Sequence, residues 1–253
     1  MSINHKTNRQ LVCAHLFVVL FFGLLTNTYA QSAIAPKTLT IYYGWPSLVN
    51  KAKKKIKAAV KTFKAYDVVV LGDSLEFPQF TKAKRQFPNP GCKQNSHKDH
   101  DFTKKLIKLL KPKTKVYGYV AIGGENTNRK CSGVPTPLTI PQMKAQIKAW
   151  KAMGVAGIFL DEAEYGFGTT RTVQNTAVDF VRRKKLKVFI NGFHPDDGFG
   201  ATIVNQVQYS NGNFSTVPMN PTGEPSHLRA GDIYLLENFQ INNGDFVDVQ
   251  TWT

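Results

Sequence analysis

Apolar and polar positions change their period repeatedly along this chain. From residue 38 onward, short runs rich in Val, Ile, Tyr and Phe alternate with longer stretches in which apolar residues recur every three or four positions. The short runs read as buried strands and the longer stretches as amphipathic helices. The predicted strands are Leu39 to Tyr43, Asp67 to Leu71, Val116 to Ala121, Val155 to Leu160, Leu186 to Asn191 and Asp232 to Leu236, with Val204 to Tyr209 a weaker seventh. Between the first two, Ile56, Val60 and Phe63 form one apolar stripe, and seven lysines from Lys51 to Lys64 cover the remaining faces. A second helix carries Phe102, Leu106, Leu109 and Leu110 and ends before Pro112. A third carries Met143, Ile147 and Trp150 and stops at Gly154. The fourth carries Val173, Ala177, Phe180 and Val181, with Arg182 to Lys185 in its last turn, where cations suit the helix dipole.

Strands alternating with helices predict an α/β domain built on a parallel sheet, either an open doubly wound sheet or a closed barrel. Gly44-Trp45-Pro46 after the first strand is too bulky for a phosphate turn, and Gly123-Gly124 lacks the remaining glycine spacing of a dinucleotide site. Polar or aromatic residues close nearly every strand: Tyr43, Asp73, Tyr119, Asp161, Asn191 and Glu237. A barrel assembles its site from several strand ends at one face, so the expectation is a (β/α)8 TIM-like barrel. Six or seven strands before Thr253 make that barrel incomplete or truncated at its C-terminus.

Residues 1–30 read as a signal peptide: Lys6 and Arg9 precede the apolar run Leu16 to Leu25, and Thr28-Tyr29-Ala30 supplies small residues for cleavage near Ala30. The run is too short to span a bilayer, so residues 31–253 are expected as a single secreted barrel domain, monomeric and with no integral membrane association. Cleavage leaves 31 basic against 17 acidic residues, a net charge of +14. No stacking-aromatic motif accompanies the lysines, which argues against nucleic acid. They serve either solubility or attraction to an anionic envelope polymer. Cys92 and Cys131 remain after cleavage, and an even count in an oxidising compartment predicts a disulfide between them, with two free thiols as the alternative.

The candidate chemistry centres on Val155 to Gly168, where a buried strand stops at Asp161, Glu162 and Glu164. Like charges at a strand end raise at least one carboxyl pKa, which lets it act as a general acid. Glu237 closes a later strand in the same way. Such a carboxylate pair is what glycosidic hydrolysis needs, and it calls for no cofactor. Adjacent residues of an extended strand point to opposite sides, so Asp161 and Glu162 share a cavity only if the strand has already turned. Glu164 is expected to cap the next helix or face solvent. Tyr43, Asp73, Tyr119, Asn191 and His194 are the candidate substrate-binding residues, although Asp73 also suits a plain turn. His97, His100 and Asp101 lack a third ligand at matching spacing, and His194 with Asp196 is assigned a metal-independent place in the pocket, so no metal site is predicted. No G-x-S-x-G elbow exists for a serine nucleophile.

The order GIFLDEAEYGF, KVFINGF and DIYLLENF resembles the spherulin-4-like glycoside hydrolases of families 135 and 114 over roughly Leu39 to Phe239. The resemblance implies a secreted TIM-barrel, endo-acting hydrolase of amino-sugar polysaccharides such as galactosaminogalactan, an endo-α-1,4-galactosaminidase-like activity. It places catalytic acids at Asp161, Glu162 and Glu237. The segment containing Arg171, Gln174, Asn175 and Asn191 also resembles many uncharacterised secreted bacterial proteins, so the substrate is expected to differ within the group. A strongly basic protein suits a neutral, acetylated or anionic glycan better than a cationic one. The competing reading is a non-catalytic surface protein that binds polysaccharide.

Overall fold

Six strands pair in parallel in the order β1-β2-β3-β4-β5-β8, so that each new strand joins the same growing edge. They are β1 (Leu39–Tyr42), β2 (Val68–Leu71), β3 (Lys115–Ala121), β4 (Gly157–Asp161), β5 (Lys187–Gly192) and β8 (Ile233–Leu236). The computed structural model describes residues 37–72, 74–78, 98–123, 138–210, 213–237, 241–242 and 245–246. Asp73, His97, Cys92 and Cys131 with the disulfide predicted between them, and the leader-like residues 1–30, lie outside the described residues.

A doubly wound sheet reverses direction at a switch point, and this one does not. The core records the same fact. The helices α1 (Ile56–Phe63), α2 (His100–Leu110), α3 (Ile140–Met153) and α4 (Arg171–Arg183) contribute Phe63, Leu106, Ile147, Trp150 and Val181 to one cluster. The strands contribute Val69, Leu71, Val120, Ile158, Leu160, Val188 and Ile190 to that same cluster. The alternate strand residues, Val68, Val70, Tyr117, Phe159 and Phe189, form a separate cluster on the other face. Helices on one side and an aromatic layer on the other make this a six-stranded, barrel-type α/β sheet, with β1 and β8 as its edges.

Helix boundaries follow local chemistry. α3 begins with a reciprocal cap, in which Thr139 and Gln142 satisfy each other's backbone N–H groups, and it ends where Gly154 turns left-handed. α1 keeps the predicted apolar stripe of Ile56, Val60 and Phe63, but it starts only at Ile56, so Lys51, Lys53, Lys54 and Lys55 precede the helix rather than covering its faces. Leu109, expected in the apolar stripe of α2, is instead 41% exposed, because Leu106, Ile107 and Leu110 already fill the side facing the sheet.

The seventh predicted strand exists, but not in the barrel sheet. β6 (Val204–Ser210) pairs antiparallel with β7 (Asn213–Asn220), a strand the sequence pattern did not pick out. Its Pro218 and polar residues lack the apolar run of a barrel strand, and a hairpin needs no crossover helix. A last two-residue antiparallel pair joins β9 (Ile241–Asn242) to β10 (Asp245–Phe246). A short helix, α5 (Pro195–Phe199), follows β5. Among the described residues, no helix is long and apolar enough to cross a membrane.

Gly118 shows how tightly α3 sits on the sheet: a Cβ there would lie 2.2 Å from the Trp150 ring. Trp150 is fully buried, and its indole N–H donates to the Tyr119 carbonyl at 3.0 Å. Gly118→Ala is therefore expected to cost about 1–3 kcal/mol by overpacking. A calorimetric Tm several degrees lower would show it, and an unchanged Tm would contradict this packing.

Candidate functional site

The period of two along each strand selects which side chains meet. Tyr119 lies on the face of Tyr117, Asp161 on the face of Phe159, Asn191 on the face of Phe189, and Glu237 continues from Leu235, all on the side away from the helices. The parallel register then aligns the ends: Ala121 pairs with Asp161, and Asn191 with Leu235. Four residues from four strands converge at the carboxyl edge of the sheet.

Their hydrogen bonds are continuous. The Tyr119 hydroxyl donates to Asp161 Oδ2 at 2.6 Å. The Asn191 amide donates from one nitrogen to Asp161 Oδ1 at 2.7 Å and to Glu237 Oε2 at 2.6 Å. Both amide hydrogens are thus spent on carboxylates. Asn191 is 6% exposed, so this bridge is built into the core rather than resting on the surface. Backbone contacts fix the two carriers, with Ile122 N–H donating to the Asp161 carbonyl and Glu237 N–H to the Gly192 carbonyl.

Glu162 meets the condition set by its neighbour. Its φ is 55°, so the chain turns immediately after Asp161. Its side chain lies over Gly123, where a Cβ would come within 2.6 Å of the Glu162 Cβ. Gly123 therefore keeps the space that Glu162 occupies at the end of β3. Thr169 braces the turn by donating to the Glu162 carbonyl at 2.6 Å.

Aromatic rings floor the cluster. Tyr117, Phe189, Phe159 and Tyr119 follow one another at centroid separations of 5.4, 4.8 and 6.0 Å, and Tyr43 stands edge-on to Tyr119 at 5.2 Å. Tyr43 is 56% exposed and so lies open to a ligand. Burial, then the charges of Asp161, Glu237 and Glu162, raise its phenol pKa. Burial, then the charge of Asp161 and the hydrogen bond to it, push the Tyr119 phenol up as well.

Glu164 and His194 belong to a different group. Glu164 stands at the N-cap position of the 3-10 turn Tyr165–Phe167, as one expectation had it, but its side chain does not cap that turn: it is 2% exposed and accepts the backbone N–H groups of Phe193 and His194 at 2.7 and 2.9 Å. It thereby anchors the entry to α5, while Asp197 accepts the Tyr165 N–H at 3.2 Å. A Cβ on Gly192 would meet both Tyr234 Oη and Glu164 Oε2, so this group lies behind β5, on the opposite side from Asn191. His194 is exposed there, with Nδ1 3.7 Å from Glu164. Glu164, His194 and Asp197 each bring a ligand atom within 4.8 Å of the others, the one such trio among the described residues. Burial and the Glu164 charge raise the Asp197 pKa, and two amides already occupy Glu164, as a structural brace requires. Asp196 points out to solvent. Arg171, Gln174 and Asn175 are also structural. Arg171 donates to Gln174 and to the Gly198 and Gly200 carbonyls, and Asn175 holds Glu224 and the Pro225 carbonyl.

No protein-family model matches the chain, and no curated protein matches it. Solved structures that resemble it include a beta-arabinopyranosidase at 12% identity, covering 61% of this chain and 22% of that one with a TM-score of 0.33. Another is the 4-hydroxy-tetrahydrodipicolinate synthase of Methylacidiphilum fumariolicum SolV, at 10% identity over 64% and 45% with a TM-score of 0.36. A third is the glycoside hydrolase domain of PelA from Pseudomonas aeruginosa, at 15% identity over 72% and 74% with a TM-score of 0.35. The chain thus spans less than half the length of the first two. Likenesses this distant decide nothing about its chemistry, and the fold rests on its own strand order and two-faced core.

The raised phenols carry a pH signature. The ordinary value is 10.0, and the folded values of Tyr43, Tyr119 and Tyr234 lie above it. Stability tied to the neutral phenols is therefore complete below pH 10 and is lost as pH rises beyond it. In an alkaline titration followed by phenolate absorbance, Tyr119 and Tyr234 should ionise only together with unfolding, and Tyr119→Phe should flatten the fall in Tm. Ionisation of every tyrosine before structure is lost would contradict their placement.

Proposed function

We propose that the chain is a secreted glycoside hydrolase that cleaves a polysaccharide internally, with Asp161 and Glu237 as its working carboxylates. The observation that carries this reading is the single Asn191 nitrogen shared by the two. With bonds of 2.7 and 2.6 Å to one nitrogen, it keeps the two accepting oxygens close together, which supports the narrower carboxylate spacing of retaining glycosidases over the wider one of inverting enzymes.

The hydrogen bonds also divide the roles. Asp161 accepts from both Tyr119 and Asn191, which fixes both of its oxygens in place for attack on the sugar. Glu237 is exposed and, among the described residues, its side chain accepts from Asn191 through Oε2, which leaves Oε1 to protonate the leaving group and then to activate water. Glu162, turned over Gly123, lines the wall beside them. Tyr43 offers a ring face for a sugar to stack on. The resemblance to spherulin-4-like enzymes supports an amino-sugar polysaccharide as substrate, and the basic charge supports an acetylated or anionic form of it. The leader-like residues 1–30 support export, with the mature chain beginning after Ala30.

Asp161→Asn and Glu237→Gln should each lower kcat on a susceptible glycan by about 10²–10⁴-fold while leaving the Tm near that of the unmutated protein. Release of reducing ends from a panel of amino-sugar and acidic polysaccharides measures the rate. Nuclear magnetic resonance of the first product should show the anomeric configuration retained. Full activity in both variants would remove the assignment, and inversion would remove the nucleophilic role of Asp161.

A further inference from the structure

The carboxylates and the lysines of this protein are segregated. The acids described above gather at the carboxyl ends of β4, β5 and β8, whereas Lys51, Lys53, Lys54, Lys55, Lys57, Lys61 and Lys64 all lie exposed on or beside α1, with no acidic residue among them. The neighbouring α2 adds Lys104, Lys105, Lys108 and Lys111, also exposed, and the two helices pack side by side. Among the described residues, none of these lysines forms an ion pair; the acids of α2 amount to Asp101 in its first turn.

Solubility alone does not ask for this arrangement. A solubilising helix face mixes both signs and places Glu four residues before Lys. Here the i, i+4 pairs within the helices are Lys57 with Lys61 on α1 and Lys104 with Lys108 on α2, and each pair repels. Lys55 caps the amino end of α1 with no acid in its first turn, so cations crowd the positive end of the helix dipole. Lys51, Lys53 and Lys54 also hold left-handed backbone at φ 58°, 46° and 61°, a conformation that residues with a Cβ rarely adopt. Positions that break local rules together, with no compensating partner, mark a site used for something else.

We propose that the α1–α2 face is a docking surface for a linear anionic polysaccharide. The spacing suits a repeating polymer: Lys57, Lys61 and Lys64 on α1 and Lys104, Lys108 and Lys111 on α2 fall at the same i, i+4, i+7 positions, two matched rows of cations along the helices. Neither segment contains an arginine, the residue suited to forked contacts with nucleic-acid phosphates, and neither offers a well-exposed aromatic ring for base stacking. The apolar stripes of both helices are spent on the sheet, leaving Leu109 as the exposed large apolar residue on α2, too little for insertion into a membrane. Both helices start at the end of the sheet that bears the carboxylates, so a bound chain would run down the outer wall from the rim of the site.

The test compares two charge reversals of equal size in the full chain. Lys57→Glu/Lys61→Glu/Lys64→Glu alters the face, and Lys148→Glu/Lys185→Glu/Lys187→Glu alters α3 and the residues around the start of β5. Binding to polygalacturonate and to dextran sulfate is measured at low salt, with double-stranded DNA and phosphatidylglycerol vesicles as competitors. The expected result is at least tenfold weaker binding of either glycan by the face variant, roughly unchanged binding by the other, and loss of all binding as salt rises. Equal weakening by both variants would reduce the effect to net charge and overturn the proposal. So would failure of the unmutated protein to bind either glycan, or tighter binding of DNA or vesicles. If the glutamates prevent folding, the Lys→Gln triple gives the same comparison. The proposal does not rest on hydrolysis, and Asp161→Asn is expected to bind polygalacturonate as the unmutated protein does.

Discussion

Two carboxylates at the end of a parallel sheet repel each other, and the Asn191 amide is what allows Asp161 and Glu237 to remain together. At an effective dielectric near 20, two unit charges about 5 Å apart repel by roughly 3 kcal/mol. A hydrogen bond to a charged group returns about 1.5–3 kcal/mol, and Asn191 makes one to each oxygen. When both acids are ionised the two terms are comparable, so the amide between them offsets the repulsion. That condition constrains β5, which must bring Asn191 to the concave face and keep it buried.

Everything around the bridge serves to hold that register. Trp150 pins α3 onto Gly118 and the Tyr119 carbonyl, which sets the height of Tyr119 beneath Asp161. The left-handed turn at Glu162 ends β4 immediately after its acid. Behind β5, Glu164 and Asp197 tie the loops after β4 and β5 to each other through backbone amides. Neither acid contacts the bridge, yet both fix the loops that frame it. The same division appears in the charge: acids lie at the strand ends and lysines along the outer helices, so opposite fields occupy different parts of one surface.

Much of this was legible from residue pattern alone. A run such as VAGIFLDE contains both the strand and the parity that puts Asp161, not Leu160, on the inner face. Six strands and four long helices follow from periods of two and 3.6, because burial on one or two faces imposes those periods directly. What the pattern does not show is where the Glu164 side chain goes, because its partners, the amides of Phe193 and His194, are about thirty residues away and carry no side-chain signal. β7 was missed for a related reason: a hairpin strand outside the main core buries too little apolar surface to imprint a pattern.

The sequence by itself determined the class of fold, the positions of the strand ends and the list of acids available for chemistry, since these depend on local periodicity and residue type. Only the tertiary structure decided which acids meet. Asn191 had been read as a substrate ligand, and its role as the bridge depends on the register of β4, β5 and β8, which is set by packing between residues distant in sequence. The same packing sent Glu164 behind the sheet and Glu237 in front of it, a difference of side that no count of carboxylates could supply.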